Sequence, residues 1–244
     1  MEKFCKSKKE TIKKMKIKAK IVADSKNDFG NRITTFILTY PRYIHSEVMT
    51  HRVFSRNAAS SRAVPSEKLI KSVLDNPFIP IAFQKTHKGM QGTDYLNEEE
   101  TKKAAELWLE SRNKAVEQCN KLLDINVTKQ LTNRLLEPFQ YYEVIVTATE
   151  FSNFFALRCP QYDLGDNVIH RSRKDALKYI DDKKLDKFDG IFITELDWLK
   201  ANKGQADIHI MALAEAMWDS INESAPKELK GGEWHIPGLT VIED

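Results

Sequence analysis

Apolar and polar positions change period several times along the chain, and each change marks an element. Lys16–Ala23 alternates and predicts a strand, Asn27–Gly30 a turn, and Arg32–Thr39 (RITTFILT) a second strand rich in β-branched residues. Pro41 is expected to open a helix, because a proline is tolerated where its missing N–H has no partner anyway. Ile44, Val48 and His51 then fall on one face at helical spacing. After Arg52 the small polar run SRNAASSRA predicts a loop, and Ser66 a cap for a short helix through Val73. Asn76–Pro77 and Pro80 break the chain beyond that helix. Asn97 and Glu100 are spaced as a capping box opening a long helix to about Leu123, with Ala104, Leu107, Trp108, Ala115, Cys119 and Leu122 as its apolar side. At about 1.5 Å per residue such a helix is roughly 40 Å long, enough to cross a whole domain or a partner subunit.

Further on, Val127–Leu136 predicts a helix ended by Pro138, and Tyr141–Ala148 (YYEVIVTA) the clearest strand. Thr149 is expected to cap a helix Glu150–Arg158 carrying Phe151, Phe154 and Phe155. Residues 160–204 are irregular, with a short helix near Ala176 and a strand near Ile191–Thr194. A final helix from Ala206 presents Ile210, Leu213, Met217 and Ile221 as a buried stripe, and GGEWHIPGL closes the chain as loop.

Composition narrows the classes. With 244 residues the chain is one large domain or two small ones, and 41% hydrophobic with 30% charged residues is a globular balance. A net charge of +3 creates no field that demands nucleic acid. Nine lysines fall within the first twenty residues, which predicts a solvated basic tail over 1–15 ahead of a single domain. Three widely spaced cysteines (Cys5, Cys119, Cys159) lack metal-ligand spacing and indicate a reducing compartment. No apolar run approaches the roughly 18 residues that span a bilayer, and no apolar region comes after the basic start as in a secretory signal. A cytoplasmic protein without a metal site or a membrane partner is expected.

Two stretches carry chemistry. Thr50–Arg62 (THRVFSRNAASSR) holds three arginines, a histidine, an asparagine and three serines, with no acid among them. Small side chains admit a ligand to the backbone, and hydroxyls with guanidinium forks match phosphate oxygens. An anion site and an exposed basic loop are both compatible with that composition. In the second stretch, Arg134 precedes Pro138, and Asn153 and Arg158 come after the strong strand. Arg158 read alone is a cation at a helix C-terminus. Asn153 among phenylalanines is more telling, because a buried amide needs partners.

These residues resemble the flavin-dependent thymidylate synthases. That family carries RHRxxSxNxxSxR, and His51, Arg52, Ser55, Asn57, Ser60 and Arg62 stand at the matching places. TTFILTYPRYIHSEVM upstream, then NRLLEP, VTATEFSNFFALR and ADIHIMALA downstream, are similar to further family segments in the family's order. The match covers most of 17–158 and 205–221, and the GEWHIP ending is closest to a divergent branch found in phage genomes. The resemblance implies an α/β (α+β) fold, a mixed or antiparallel sheet packed with long helices, assembled as a homotetramer with shared active sites. It implies that FAD, recharged by NADPH, moves a methylene from methylenetetrahydrofolate to C5 of dUMP to give dTMP, without an enzyme nucleophile on the base. By position, His51, Arg52, Asn57 and Asn153 are expected to contact flavin. Ser60, Ser61, Arg62 and Arg134 are expected to hold the phosphate and sugar, with Arg158 facing the uracil and Glu47 lining the base pocket.

The chain also departs from the pattern. Thr50 replaces an arginine, Ala58 a common glutamate, Glu47 a common glutamine, and Met211 the arginine of the last helix. Asn31 and Gln205 stand where flavin-contacting residues are usual, and 160–204 is an insertion. The departures cluster around flavin and the base edge and spare the phosphate residues. A related pyrimidine C5 methylase or hydroxymethylase is therefore the first alternative, and a non-catalytic nucleotide- or nucleic-acid-binding homologue the second.

Overall fold

The computed structural model describes residues 17–89, 92–165, 167–185, 192 and 194–237. Its centre is a five-stranded mixed sheet. β1 (Lys18–Asn27) and β2 (Arg32–Pro41) form a hairpin around a turn in which Gly30 takes φ 85°, a left-handed backbone that glycine adopts without steric cost. The register slips between Ile21 and Ala23, which places one extra residue in β1. β4 (Tyr141–Ala148) runs antiparallel to β2 on the other side, with Phe36 opposite Val146 and Leu38 opposite Val144. Alternation puts Phe36, Leu38, Tyr40, Val144 and Val146 on one face, each exposed by 1% or less.

Two edge strands escape the sequence pattern. Ser55–Ala58, expected as loop, is β3 and pairs antiparallel with β4. Lys227–Leu229, for which the sequence pattern predicts no element, is β7, parallel to β1. The sheet order is therefore β3-β4-β2-β1-β7. Both edges are short, polar and held mainly through backbone pairing, so they leave no hydrophobic alternation to detect.

Among the described residues the helices pack into three clusters. After β2 a 3-10 turn (Arg42–Ile44) leads into α1 (His45–Met49); Pro41 ends the strand rather than starting the helix, and the Arg42 N–H is taken by the Gln140 carbonyl at 2.9 Å. Ile44, Val48 and His51 are all buried as expected, although only Val48 lies within α1. α2 (Ser66–Asp75) begins at Ser66, so Pro65 and not Ser66 holds the cap position. α3 (Glu98–Asp124) has the full Asn97–Glu100 capping box. Its buried contacts come from Val116 and Cys119, while Leu107 is exposed. The helix expected over Val127–Leu136 is only α4 (Lys129–Thr132), followed by 3-10 winding through Asn133–Phe139. Pro138 explains the change, since its ring would collide with the carbonyl four residues back in an α-helix. That winding turns Leu136 and Phe139 onto Val73, Val116 and Cys119.

α5 (Ser152–Arg158) starts two residues later than expected, with Phe151 at its cap and no bond from Thr149. In the insertion, β5 (Tyr162–Asp163) pairs with β6 (Ile169–His170), followed by α6 (Arg173–Lys183) and α7 (Glu195–Ala201), which Thr194 caps. The strand expected at Ile191–Thr194 and the basic tail over 1–15 lie outside the described residues, apart from Phe192 and Thr194. The insertion's ends meet: the Lys203 N–H donates to the Gln161 carbonyl at 2.8 Å, and Asn202 Oδ1 accepts from the Gln161 and Gly204 N–H groups. α8 (Ile208–Glu223), capped by Asp207, lays Ile210, Leu213 and Met217 on the sheet beside Phe154 and Phe155. Burying each such side chain contributes about 1.5–3 kcal/mol. Among the described residues no helix is long and apolar enough to cross a membrane.

Candidate functional site

The loop after α1 and the end of α5 meet at one point. His51 is 6% exposed, packed edge-on to Phe154 at 4.8 Å and stacked with Phe54. Its Nε2 accepts the Arg158 Nε–H at 3.2 Å, and its carbonyl accepts from Arg56 at 2.7 Å. The His51–Arg158 bond joins residues 107 apart in sequence. Burial first, then the charges of Arg158 and Arg56, hold the imidazole below its ordinary pKa, and the neutral ring is the form that accepts from a guanidinium. Arg158 also faces Glu47 at 3.7 Å. Burial and the nearby Asp207 charge raise the Glu47 pKa, and Arg158 opposes them.

Beside this pair stands a polar cluster that the sequence pattern does not reveal. The His209 Nε2 accepts the Ile81 N–H at 3.0 Å, so Nδ1 carries the proton and donates to Asp207 Oδ1 at 3.0 Å. The Tyr43 hydroxyl touches His209 Nδ1 and lies 3.3 Å from Asp207 Oδ1. Burial resists ionisation of Asp207, but its bonds to His209 outweigh that and keep the carboxyl below the usual range. Asp207 caps α8, and its pairing with Tyr43 spans 164 residues.

The residues expected to hold the phosphate gather around the segment that leads into β4. Asn133 donates from Nδ2 to the Ser61 and Val64 carbonyls, at 2.8 and 3.0 Å, and so fastens the loop to the 3-10 segment. Tyr142 donates to the Ala59 carbonyl at 2.8 Å. Ser61, buried, donates its hydroxyl to Glu137 Oε1 at 2.9 Å. Arg42 and Arg134 reach the same oxygen at 3.0 and 3.4 Å, and Arg42 also lies over the Tyr142 ring at 4.3 Å. Ser60 Oγ accepts the Arg62 N–H, and both residues are exposed. Of the expected phosphate residues, Ser61 and Arg134 thus converge on Glu137, with Arg42 joining them unforeseen. Arg62 is exposed on the same loop.

Arg52, Asn57 and Asn153 are also exposed, Asn57 on the edge strand β3 and Asn153 one residue from the His51 contact at Phe154. Arg52 and Asn57 lie on a segment free of acids from 50 to 62, and Asn153 lies on α5, so the donors exposed here are cationic or neutral. His51 is more enclosed, with its Nε2 taken by Arg158. Met211 is buried, and the Asn202 amide contacts its sulfur at 2.8 Å. A separate cleft of about 1090 Å³ opens between α6, α8 and the 77–81 segment, lined by Phe78, Ile81, Tyr141, Leu177 and Glu215 among others. None of the residues expected to bind flavin or nucleotide lines it. Among the described residues no group of three or more His, Cys, Asp or Glu could hold a metal. Cys119 and Cys159 are both buried, and burial raises both thiols, which disfavours the thiolate form.

No family model matches the sequence, and no curated protein matches it. Solved structures do match. A UMP/dUMP methylase, PolB from Streptomyces cacaoi bound with 5-Br UMP, is similar with a TM-score of 0.50 at 14% identity, covering 79% of this chain and 98% of that one. The same methylase with 5-Br dUMP gives a TM-score of 0.49 at 12% identity, over 72% of this chain and 92% of that one. The first likeness shows a shared mixed α+β fold.

Proposed function

We propose that this chain is a flavin- and folate-dependent pyrimidine-nucleotide C5 methylase, converting dUMP to dTMP with methylenetetrahydrofolate as one-carbon donor and NADPH as reductant. The observation that carries the reading is the bond between His51 and Arg158, which joins two of the family-like motifs across 107 residues of sequence. The fold shared with a UMP/dUMP methylase supports it, and that relative makes UMP the second substrate to test.

In this reading Arg52, Asn57 and Asn153 hold FAD, which when bound supplies the reducing equivalents that no side chain here can provide. Arg158 presents a planar fork to the pyrimidine edge, and His51 holds that fork in orientation through Nε2. Glu47 limits where the guanidinium can swing. Arg158 stabilises negative charge developing on a pyrimidine oxygen as C5 becomes nucleophilic. Ser60, Ser61, Arg62 and Arg134 bind the phosphate and sugar. His51, Arg52, Asn57, Arg62, Arg134 and Arg158 line none of the three best-formed clefts among the described residues, and a homotetramer would close the site with neighbouring subunits.

The test is reconstitution with FAD, followed by turnover of dUMP and of UMP with methylenetetrahydrofolate and mass analysis of the product. Flavin absorbance with a gain of one methyl on the nucleotide is the expected result. Failure to retain flavin, or a hydroxymethylated product, would replace this reading.

A further inference from the structure

We propose that Glu137 is a resident competitor in the nucleotide-phosphate subsite, so that an incoming phosphate must displace this carboxylate from Ser61 and Arg134. The inference rests on the reading of Ser61 and Arg134 as phosphate ligands. Three donors converge on a single oxygen of Glu137: the Ser61 hydroxyl at 2.9 Å, Arg42 at 3.0 Å and Arg134 at 3.4 Å. A buried serine hydroxyl with two guanidinium groups is the donor set expected of a phosphate oxygen, and here the chain's own carboxylate fills it.

The donors are not equally committed. The Arg42 side chain is 13% exposed, lies over Tyr142 and has its backbone tied to Gln140, whereas the Arg134 side chain is 53% exposed on a 3-10 turn. Arg134 can therefore leave Glu137 for a ligand while Arg42 keeps it, and the carboxylate swings aside without losing its last partner. Glu137 side-chain exposure of 24% gives it an outlet toward solvent. The Ser61 backbone stays in place throughout, because Asn133 holds its carbonyl independently of the hydroxyl. Binding then exchanges one anion for another. The site is kept from standing as an unpaired cationic cluster, and weak anions are disfavoured against a phosphate dianion.

The experiment compares wild type with Glu137→Gln in titrations with inorganic phosphate, dUMP and deoxyuridine, with thermal unfolding as the control for folding. Gln keeps the size and removes the competing charge. Phosphate and dUMP should bind about tenfold more tightly to the variant, the effect of removing one like charge a few ångströms away. Deoxyuridine, which lacks the phosphate, should be unchanged. Unchanged or weaker phosphate binding by the variant would overturn the proposal and make Glu137 a post that aligns the two arginines. If Gln does not fold, Glu137→Ala is judged by the same criteria. Phosphate binding that tightens as expected, with dUMP binding no better than phosphate in either protein, would uphold the competitor while removing the pyrimidine-nucleotide reading.

Discussion

Arg158 and Arg134 each face a glutamate, yet the surroundings make them different instruments. The Arg158 side chain is 23% exposed, fixed by His51 and walled by Phe54 and Phe154 behind that histidine. Arg134 is more than half exposed and meets Glu137 three residues along its own turn. An exposed local ion pair contributes about 0–1 kcal/mol and exchanges freely with water and salt. A guanidinium held by a buried neutral acceptor keeps its plane, and loses more when the plane is lost. The first arrangement suits orientation of a planar ring, the second capture of an anion that arrives and leaves.

The largest effect that would sharpen this contrast is expected from Arg158→Lys. Lysine keeps the charge and loses the fork, so kcat should fall about a hundredfold, corresponding to roughly 1.5–3 kcal/mol for charge-assisted bonds, with a smaller change in nucleotide binding. Single-turnover oxidation of reduced enzyme with saturating dUMP and methylenetetrahydrofolate measures it. Wild-type rates would return Arg158 to the status of a helix-end cation.

Next in size are Arg134→Ala and Arg62→Ala. Each should weaken dUMP binding about tenfold while flavin affinity holds, since each removes one charged donor from the phosphate. Isothermal titration of both ligands separates the two effects. A loss of flavin with nucleotide binding intact would invert the assignment of the two regions.

The smallest effect concerns acid. Folding lowers the His51 pKa, so as pH falls below its ordinary value of 6.5 the unfolded chain takes up the proton first. The stability contributed by neutral His51 is complete above that pH and is lost through the window beneath it, together with the bond to Arg158. Because His45 and His235 are depressed in the same direction, the measurement is the difference between wild type and His51→Gln in denaturant unfolding across that window. A shallower decline in the variant is expected, and identical slopes would mean that the bond to Arg158 does not depend on protonation of His51.

The range of the forces involved decides how much of this was legible in the sequence. β4 announces itself because its alternation is written in eight consecutive residues, and α3 because Asn97 and Glu100 bond to each other's backbone three positions apart. β3 and β7 were silent, since Arg56, Asn57 and Lys227 are in strands by virtue of a neighbour's free backbone and not of their own side chains. The late start of α5 has a local cause too: Glu150, not Thr149, bonds the Ser152 N–H. At the site, family-like spacing pointed to His51, Ser61, Arg134 and Arg158 individually. Nothing in that spacing says that Glu137 answers Ser61 from 76 residues away, or that Asp207 answers Tyr43. Those partnerships belong to the tertiary fold.

The joined ends of the insertion have a consequence for how such a chain can change. Residues 161 and 203 are bonded neighbours, so the chain leaves the rest of the protein and returns to it at one place. A segment that enters and leaves at one place can be lengthened, shortened or exchanged as a cassette, because the closure it must satisfy grows only slowly with its length. The segment is not inert, however, for Arg171 inside it donates to the Phe155 carbonyl on the helix that ends at Arg158. A replaced cassette would leave the sheet standing and alter the tension on that arginine, which makes the insertion a place where selection can retune chemistry without renegotiating the fold.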